Sequence, residues 1–243
     1  MPHQKVIVEA FTEMAPKYEQ TVDSELRRFW GWSYQSFIEN LIRAADLREE
    51  DAVLDVATGT GVIPAKILSL GKHTGRIVGL DITLAMLERA KTRLDDPAAG
   101  RQVDLSCASA MAMPYRGESF DVILCALATH HLDVPTALAE MKRILKPGGR
   151  LAIADVGGAR FWRFPPISWL IRLLTFLYFL PKEGFARARS EAGALSNVRT
   201  AEEWQGLLTN LGFTEVSATK LSTQSILSPS PLLLRGMRQS TEG

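Results

Sequence analysis

Val53-Leu54-Asp55-Val56-Ala57-Thr58-Gly59-Thr60-Gly61 is the stretch on which the reading of this chain turns. Val53, Leu54 and Val56 make the short apolar run expected of a parallel strand covered on both faces. The run enters a turn of small residues, and a helix begins near Val62. Such a turn lets backbone approach a ligand closely. The dinucleotide pattern G-x-G-x-x-G needs a third Gly or Ala for close helix packing, but Pro64 stands at that position. Pro64 is compatible with a first helical turn, so the helix stands while a dinucleotide is disfavoured.

Working outward, Arg76-Ile77-Val78-Gly79-Leu80-Asp81 is a second apolar run, closed by a carboxylate just ahead of another helix. In a doubly wound sheet the ends of the first two strands are adjacent. Asp81 is therefore placed to face a ligand beside the Gly turn and to accept two hydrogen bonds from a ribose diol, which suits an adenosyl cofactor. Further strands are expected near 102–107, 120–126 and 149–155. Between them, Leu84, Leu87, Ala90 and Leu94 mark one helix, and Leu138, Met141 and Leu145 another. Helix and strand in alternation require a parallel sheet. Lys146-Pro147-Gly148-Gly149 ends the second helix and turns the chain into a strand.

With Met113-Pro114-Tyr115, Ser119-Phe120-Asp121-Val122-Ile123, His130-His131-Leu132 and Leu145-Lys146-Pro147-Gly148-Gly149 following in order, residues 50 to 156 resemble the class I S-adenosylmethionine-dependent methyltransferases. The branch that makes quinones by C-methylation is the most similar. The resemblance implies an α/β, Rossmann-like, doubly wound and mostly parallel seven-stranded sheet with its last strand antiparallel. It also implies S-adenosylmethionine as cofactor, S-adenosylhomocysteine as product and no metal. On that pattern the cofactor would contact Asp55, Ala57, Thr58, Gly59, Gly61, Asp81, Ile82, Ser109, Ala110 and Ala126. Two positions depart from the family's usual pattern: Ala57 replaces the first Gly of the turn, and Ser109 stands where an Asp usually binds the adenine amine. Asp55 is expected either to fix the turn or to hold the cofactor's amino group.

The chain has 243 residues, enough for one domain with additions and a substantial core. The expected division is a helical cap over 1–48, a cofactor-binding core over 49–156, an insertion over 157–199, and a final helix and strand hairpin over 200–243. A formal charge of +1 gives no electrostatic case for nucleic acid. Cys107 and Cys125 fall on predicted strands that are not neighbours in the expected order, and read as small buried hydrophobes. Met1-Pro2-His3-Gln4-Lys5 is too polar for a secretory signal, and a cytoplasmic location is expected.

Helices are predicted over 5–20, where Phe11, Ala15 and Tyr18 share a face, and over 24–46, marked by Leu26, Trp30, Phe37 and Leu41. In the quinone branch a lead-in resembling Phe11 to Tyr18 folds over the cofactor, which makes Tyr18 a candidate contact; plain core packing is the alternative. After Asp155 comes Phe161-Trp162-Arg163-Phe164-Pro165-Pro166, then an apolar helix over Ile167 to Leu180. That helix is too short for the ~20 residues that span a bilayer. It reads as a lid over an apolar substrate, as an interfacial membrane helix flanked by Arg160, Arg163 and Lys182, or as core. The lid is favoured, because an insertion after the fifth strand sits above the carboxyl edge where ligands bind. Thr200-Ala201-Glu202-Glu203 is a capping box for a helix carrying Trp204, Leu207, Leu208 and Leu211, stopped by Gly212. Residues 213–221 and 232–238 read as the last two strands.

Methyl transfer from a sulfonium is an in-line displacement that needs positioning, exclusion of water and, for a protonated acceptor, removal of a proton. His130 and His131, just beyond the fourth strand, are the candidate bases, since imidazole titrates near neutral pH. A His pair that only shapes the loop before the helix capped by Asp133 is the competing reading. Asp155 ends the fifth strand, where it would orient a His or bind a substrate hydroxyl. The expected acceptor is an apolar small molecule of quinol, phenol, polyketide or glycoside type, methylated at carbon or oxygen. The rivals are a non-methylating cyclase or binding subunit of the same fold, and a peripheral membrane protein contacting lipid through 161–180.

Overall fold

Three helices, rather than two, precede the sheet in the computed structural model, which describes residues 2–95, 103–223 and 230–240. They are α1 (Pro2–Met14), α2 (Tyr18–Trp30) and α3 (Tyr34–Ala44). Ala15–Lys17 form a 3-10 turn around Pro16, whose missing N–H and ring geometry stop α1 from running on. The predicted helix over 24–46 breaks at Gly31, which takes the left-handed conformation (φ 77°) that caps α2. Ser33 then starts α3 by accepting a hydrogen bond from the Ser36 amide at 3.0 Å.

The sheet comprises β1 (Val53–Val56), β2 (Ile77–Asp81), β3 (Asp104–Cys107), β4 (Phe120–Ala126), β5 (Leu145–Val156), β6 (Phe213–Lys220) and β7 (Pro231–Arg238). Their spatial order is β3-β2-β1-β4-β5-β7-β6, with β1 to β5 parallel and β7 antiparallel to both its neighbours. This is the doubly wound sheet that the pattern implies, with its order reversing between β1 and β4. Residue 102, where the predicted third strand starts, lies outside the described residues. Strand β5 starts at Leu145 rather than at 149: Leu145 pairs with Phe120, Arg150 with Val122, and the residues between form an irregularity in which Gly148 takes a φ of 73°.

Helices cover both faces because alternate strand residues point to opposite sides. Leu54, Val56, Leu80, Ile123 and Ile153 pack on one face with α6 (Val134–Ile144) and α8 (Ala201–Asn210). Val53, Ile77, Val122, Leu124 and Ala152 pack on the other with α2, α3 and α4 (Val62–Ser69). Helix α5 (Leu84–Leu94) buries Met86, Leu87 and Ala90, whereas Leu84, expected in that stripe, is 60 % exposed at the helix's first position. Cys125 is buried as expected, but Cys107 is exposed, because β3 is an edge strand. The Thr200–Glu203 capping box is present in full.

The insertion holds one long helix, α7 (Pro165–Ala194), bent at Gly184, where φ 85° and ψ 178° form a conformation open essentially to glycine alone. It therefore extends well past the predicted end at Leu180. Together α1 and α7 pack over the carboxyl edge of the sheet. No helix among the described residues is long and apolar enough to cross a membrane.

Candidate cofactor and active site

Two cavities lie side by side at that edge. The first is floored by the β1 turn and the ends of β2 and β4, lined by Ala57, Gly59, Asp81, Ile82, Ser109, Ala110 and Ala126, and roofed by Gln4, Ile7 and Phe11 of α1 together with Tyr18. Asp81 is buried beside the turn: one carboxylate oxygen accepts the Gly59 amide at 2.9 Å and the other the Thr83 amide at 2.8 Å. Burial nevertheless raises its pKa, with the Thr83 and Gly59 amides acting in the other direction. Its carboxylate also lines the cavity, where a diol would find an acceptor.

Asp55, Thr58 and Gly61 do not line the cavity. Asp55 is fully buried beneath the turn, where the Thr58 hydroxyl donates to its Oδ2 at 2.6 Å and its Oδ1 has no partner among the described residues. Burial pushes the Asp55 carboxyl up to about 8, with the nearby Asp81 adding to the rise. Asp55 therefore fixes the turn from beneath, outside the cavity's lining. Gly61 meets α5 instead of a ligand: a Cβ there would come within 3.1 Å of Ala90 and Leu94. Ala57 holds a φ of 58°, a conformation costly to a residue with a Cβ, and so keeps the turn's shape without the usual Gly. Ser109 is engaged by α1, since the Gln4 side-chain amide donates to its hydroxyl at 3.1 Å. Gln4 carries no motif, and only the fold reveals it.

The second cavity, of about 660 Å³, lies between α2 and α7. Its walls are apolar, with Phe29, Trp30, Trp162, Leu174, Tyr178 and Phe179 among them, and one end is polar: Glu25, His130, His131, Arg187 and Glu191. Phe11, Tyr18, Leu127 and His131 line both cavities and so form the partition between them. Leu127 sits at φ 51°, backbone strain placed at the partition itself.

The His pair divides in role. His130 Nδ1 lies 2.6 Å from Asp155 Oδ1, and Asp155 also accepts the Thr129 hydroxyl and the amides of His130 and Val156. Burial works against the imidazolium, yet the Asp155 charge and hydrogen bond overcome it and hold His130 above the ordinary range. His130 also lines the second cavity. His131 is tied to Glu191 at 3.2 Å and Ser190 at 3.4 Å, and burial and then the neighbouring His130 depress it to about 4. It stays neutral at ordinary pH. Asp155 is held below the usual carboxylate range: burial opposes this, and His130 and Thr129 prevail.

Arg187 sits among three carboxylates, 2.9 Å from Glu191, 3.6 Å from Glu183 and 4.0 Å from Glu25. One cation thus faces three acids. Burial and the two other carboxylates raise Glu25 to about 7, against the pull of Arg187. Among the described residues, His130, His131 and Glu191 bring ligand atoms within 4.8 Å of one another, near enough to hold a metal ion. Arg187 already supplies the cation that Glu191 faces.

Known proteins of similar sequence and structure show the family. Residues 54–153 match the family model described as a methyltransferase domain. The ubiquinone/menaquinone biosynthesis C-methyltransferase UbiE of Haemophilus ducreyi is 30% identical over 185 residues, covering 74% of this chain and 67% of that protein. The chain belongs to the class I S-adenosylmethionine-dependent methyltransferases. Its alignments to the UbiE proteins of Shewanella frigidimarina and Hahella chejuensis span 59% of their length. Among solved structures, the geranyl diphosphate C-methyltransferase of Streptomyces coelicolor superposes with a TM-score of 0.66 at 16% identity, covering 91% of this chain and 84% of that one. The [4+2]-cyclase SpnF superposes with a TM-score of 0.63 at 16% identity, covering 86% and 83%. At such identity both show the fold alone.

Proposed function

We propose that the chain transfers a methyl group from S-adenosylmethionine to carbon or oxygen of an apolar small molecule with a hydroxylated ring, of quinol or phenol type. The single observation that carries this is the shared partition: a pocket built for an adenosyl group and an apolar cavity with a polar end meet at Phe11, Tyr18, Leu127 and His131. Bound S-adenosylmethionine supplies an electrophilic methyl group. The chain does the rest. The roof of α1 and Tyr18 excludes water, the apolar walls of the second cavity hold the acceptor's body, and its hydroxyl lies among His130, Glu25 and Arg187. His130, kept basic and fixed in orientation by Asp155, takes the hydroxyl proton, which makes the oxygen or the ring carbon conjugated to it nucleophilic. The related UbiE proteins, C-methyltransferases of quinone biosynthesis by name, favour a quinol over a glycoside. Release of S-adenosylhomocysteine is to be measured with quinol, phenol, polyketide and glycoside acceptors. Turnover with an aromatic hydroxyl, lost in His130→Ala, is the expected result. A protein that binds cofactor but methylates nothing in the panel would instead be the non-methylating member of the fold.

A further inference from the structure

Most of the exposed large apolar side chains among the described residues lie on α7 and the segment just before it. Leu170, Leu173, Leu177 and Leu180 recur at helical spacing and are 49, 37, 53 and 38 % exposed. Trp169, Phe164 and Phe161 extend the stripe toward the start of the insertion, at 67, 63 and 60 %. So much contiguous apolar side chain marks a surface meant to be covered.

Charge says by what. From Gly157 to Lys182 the sequence carries four cations, Arg160, Arg163, Arg172 and Lys182, and no acidic residue. Arg160, Arg172 and Lys182 are exposed beside the stripe, and Arg28 of α2 joins Lys182 over the Tyr178 ring. The first acid, Glu183, is turned inward with its side chain 8 % exposed and paired with Arg187. Exposed aromatic and leucine side chains in a stretch that carries cations and no acid are complementary to an anionic lipid surface.

The same face carries the mouth of the second cavity. Phe161 and Leu174 line that cavity and yet are 60 and 56 % exposed, so they stand at its rim. We propose that α7 docks flat on an anionic bilayer, with its leucine and aromatic face in the headgroup region and the cavity's mouth turned to the lipid. An apolar molecule dissolved in the bilayer then enters the cavity without crossing water. The docking rests on the surface alone and holds whatever chemistry follows.

The test is flotation of the full chain with phosphatidylcholine vesicles, with and without phosphatidylglycerol. The protein should float with the anionic vesicles and not with the neutral ones, and should be released as salt shortens the Debye length from ~10 Å at 0.1 M to ~3 Å at 1 M. Trp169→Glu with Leu173→Glu should cut partitioning at least roughly tenfold, because charged side chains then replace the apolar contact. Neither residue lines a cavity, so the rise in Tm given by S-adenosylhomocysteine should persist and report an intact fold. Should that pair of changes unfold the chain, Leu170→Gln serves in its place, with a smaller loss of the same sign. Absence of flotation with anionic vesicles overturns the proposal, as does flotation that the variants leave unchanged. A concentration-dependent dimer in sedimentation, dispersed by Trp169→Glu, also overturns it, because a second copy would then be what covers the face.

Discussion

Asp81 and His130 occupy the same kind of place, the end of a parallel strand, and they test the two halves of the site separately. Asp81→Ala removes charge-assisted hydrogen bonds of ~1.5 to 3 kcal/mol, so S-adenosylhomocysteine affinity in calorimetry should fall roughly ten- to a hundredfold. Unchanged affinity would refute the ribose assignment. His130→Ala should lower kcat by about a hundred- to ten-thousandfold with cofactor affinity nearly intact. In the parent, kcat/KM should rise through a pKa above the free imidazole value of ~6.5, since Asp155 raises His130. Asp155→Asn removes that charge and leaves burial opposed only by the weaker pull of Glu191, so the limb should move down while turnover falls less than in His130→Ala. A limb that stays in place in Asp155→Asn would mean that another group titrates. His131→Ala should leave the limb alone, because His131 is already neutral. Asp81, Ser109, the His pair and Asp155 were readable because a strand end needs only its own sequence to be placed. Gln4, Glu25 and Arg187 were not: α1, α2 and α7 carry them to the site, and nothing local in the chain says where those helices land.

At the scale of elements, the sheet was readable almost throughout, since apolar runs and turn residues fix strands by themselves. The helices that cover the carboxyl edge were read less well. Pro16 and Gly31 are the signals that divide the lead-in into three helices, and each lies inside an otherwise continuous apolar pattern that masks it. For α7 the apolar content is so even that sequence alone does not say which side faces the cavity; the structure lines the cavity with Ile171 and Tyr178, sets Leu174 at its rim, and leaves Leu173 and Leu177 off it. That division is testable with a water-soluble acceptor. Ile171→Asp should raise the acceptor KM while cofactor affinity holds, because a carboxylate must be desolvated against an apolar ligand. Leu177→Asp should leave KM unchanged. Equal effects of the two changes would remove the lid from its assigned place.

For the whole molecule, the site is a concentration of buried acids. Glu25 at about 7 and Asp55 at about 8 both lie above their unfolded values, and His130 is raised as well. A group raised on folding stabilises the native state below its unfolded pKa, and that contribution is lost as pH climbs through the folded one. Between about pH 6.5 and 8.5 all three act in the same direction. The protein without cofactor should therefore have a lower Tm at pH 8.5 than at pH 6.5, and Glu25→Gln should flatten the slope. A Tm that rises over this window would contradict the burial of these acids. S-adenosylhomocysteine should raise Tm at either pH, and NAD should not. The partition of Phe11, Tyr18, Leu127 and His131 also bears on kinetic order. The cofactor pocket is roofed by α1 and Tyr18, whereas the rim of the second cavity lies along α7, so the acceptor has an approach that does not pass through the cofactor's pocket. Neither need wait for the other to leave. Initial velocities should follow a random sequential scheme, with spent cofactor competing against S-adenosylmethionine but not against the acceptor.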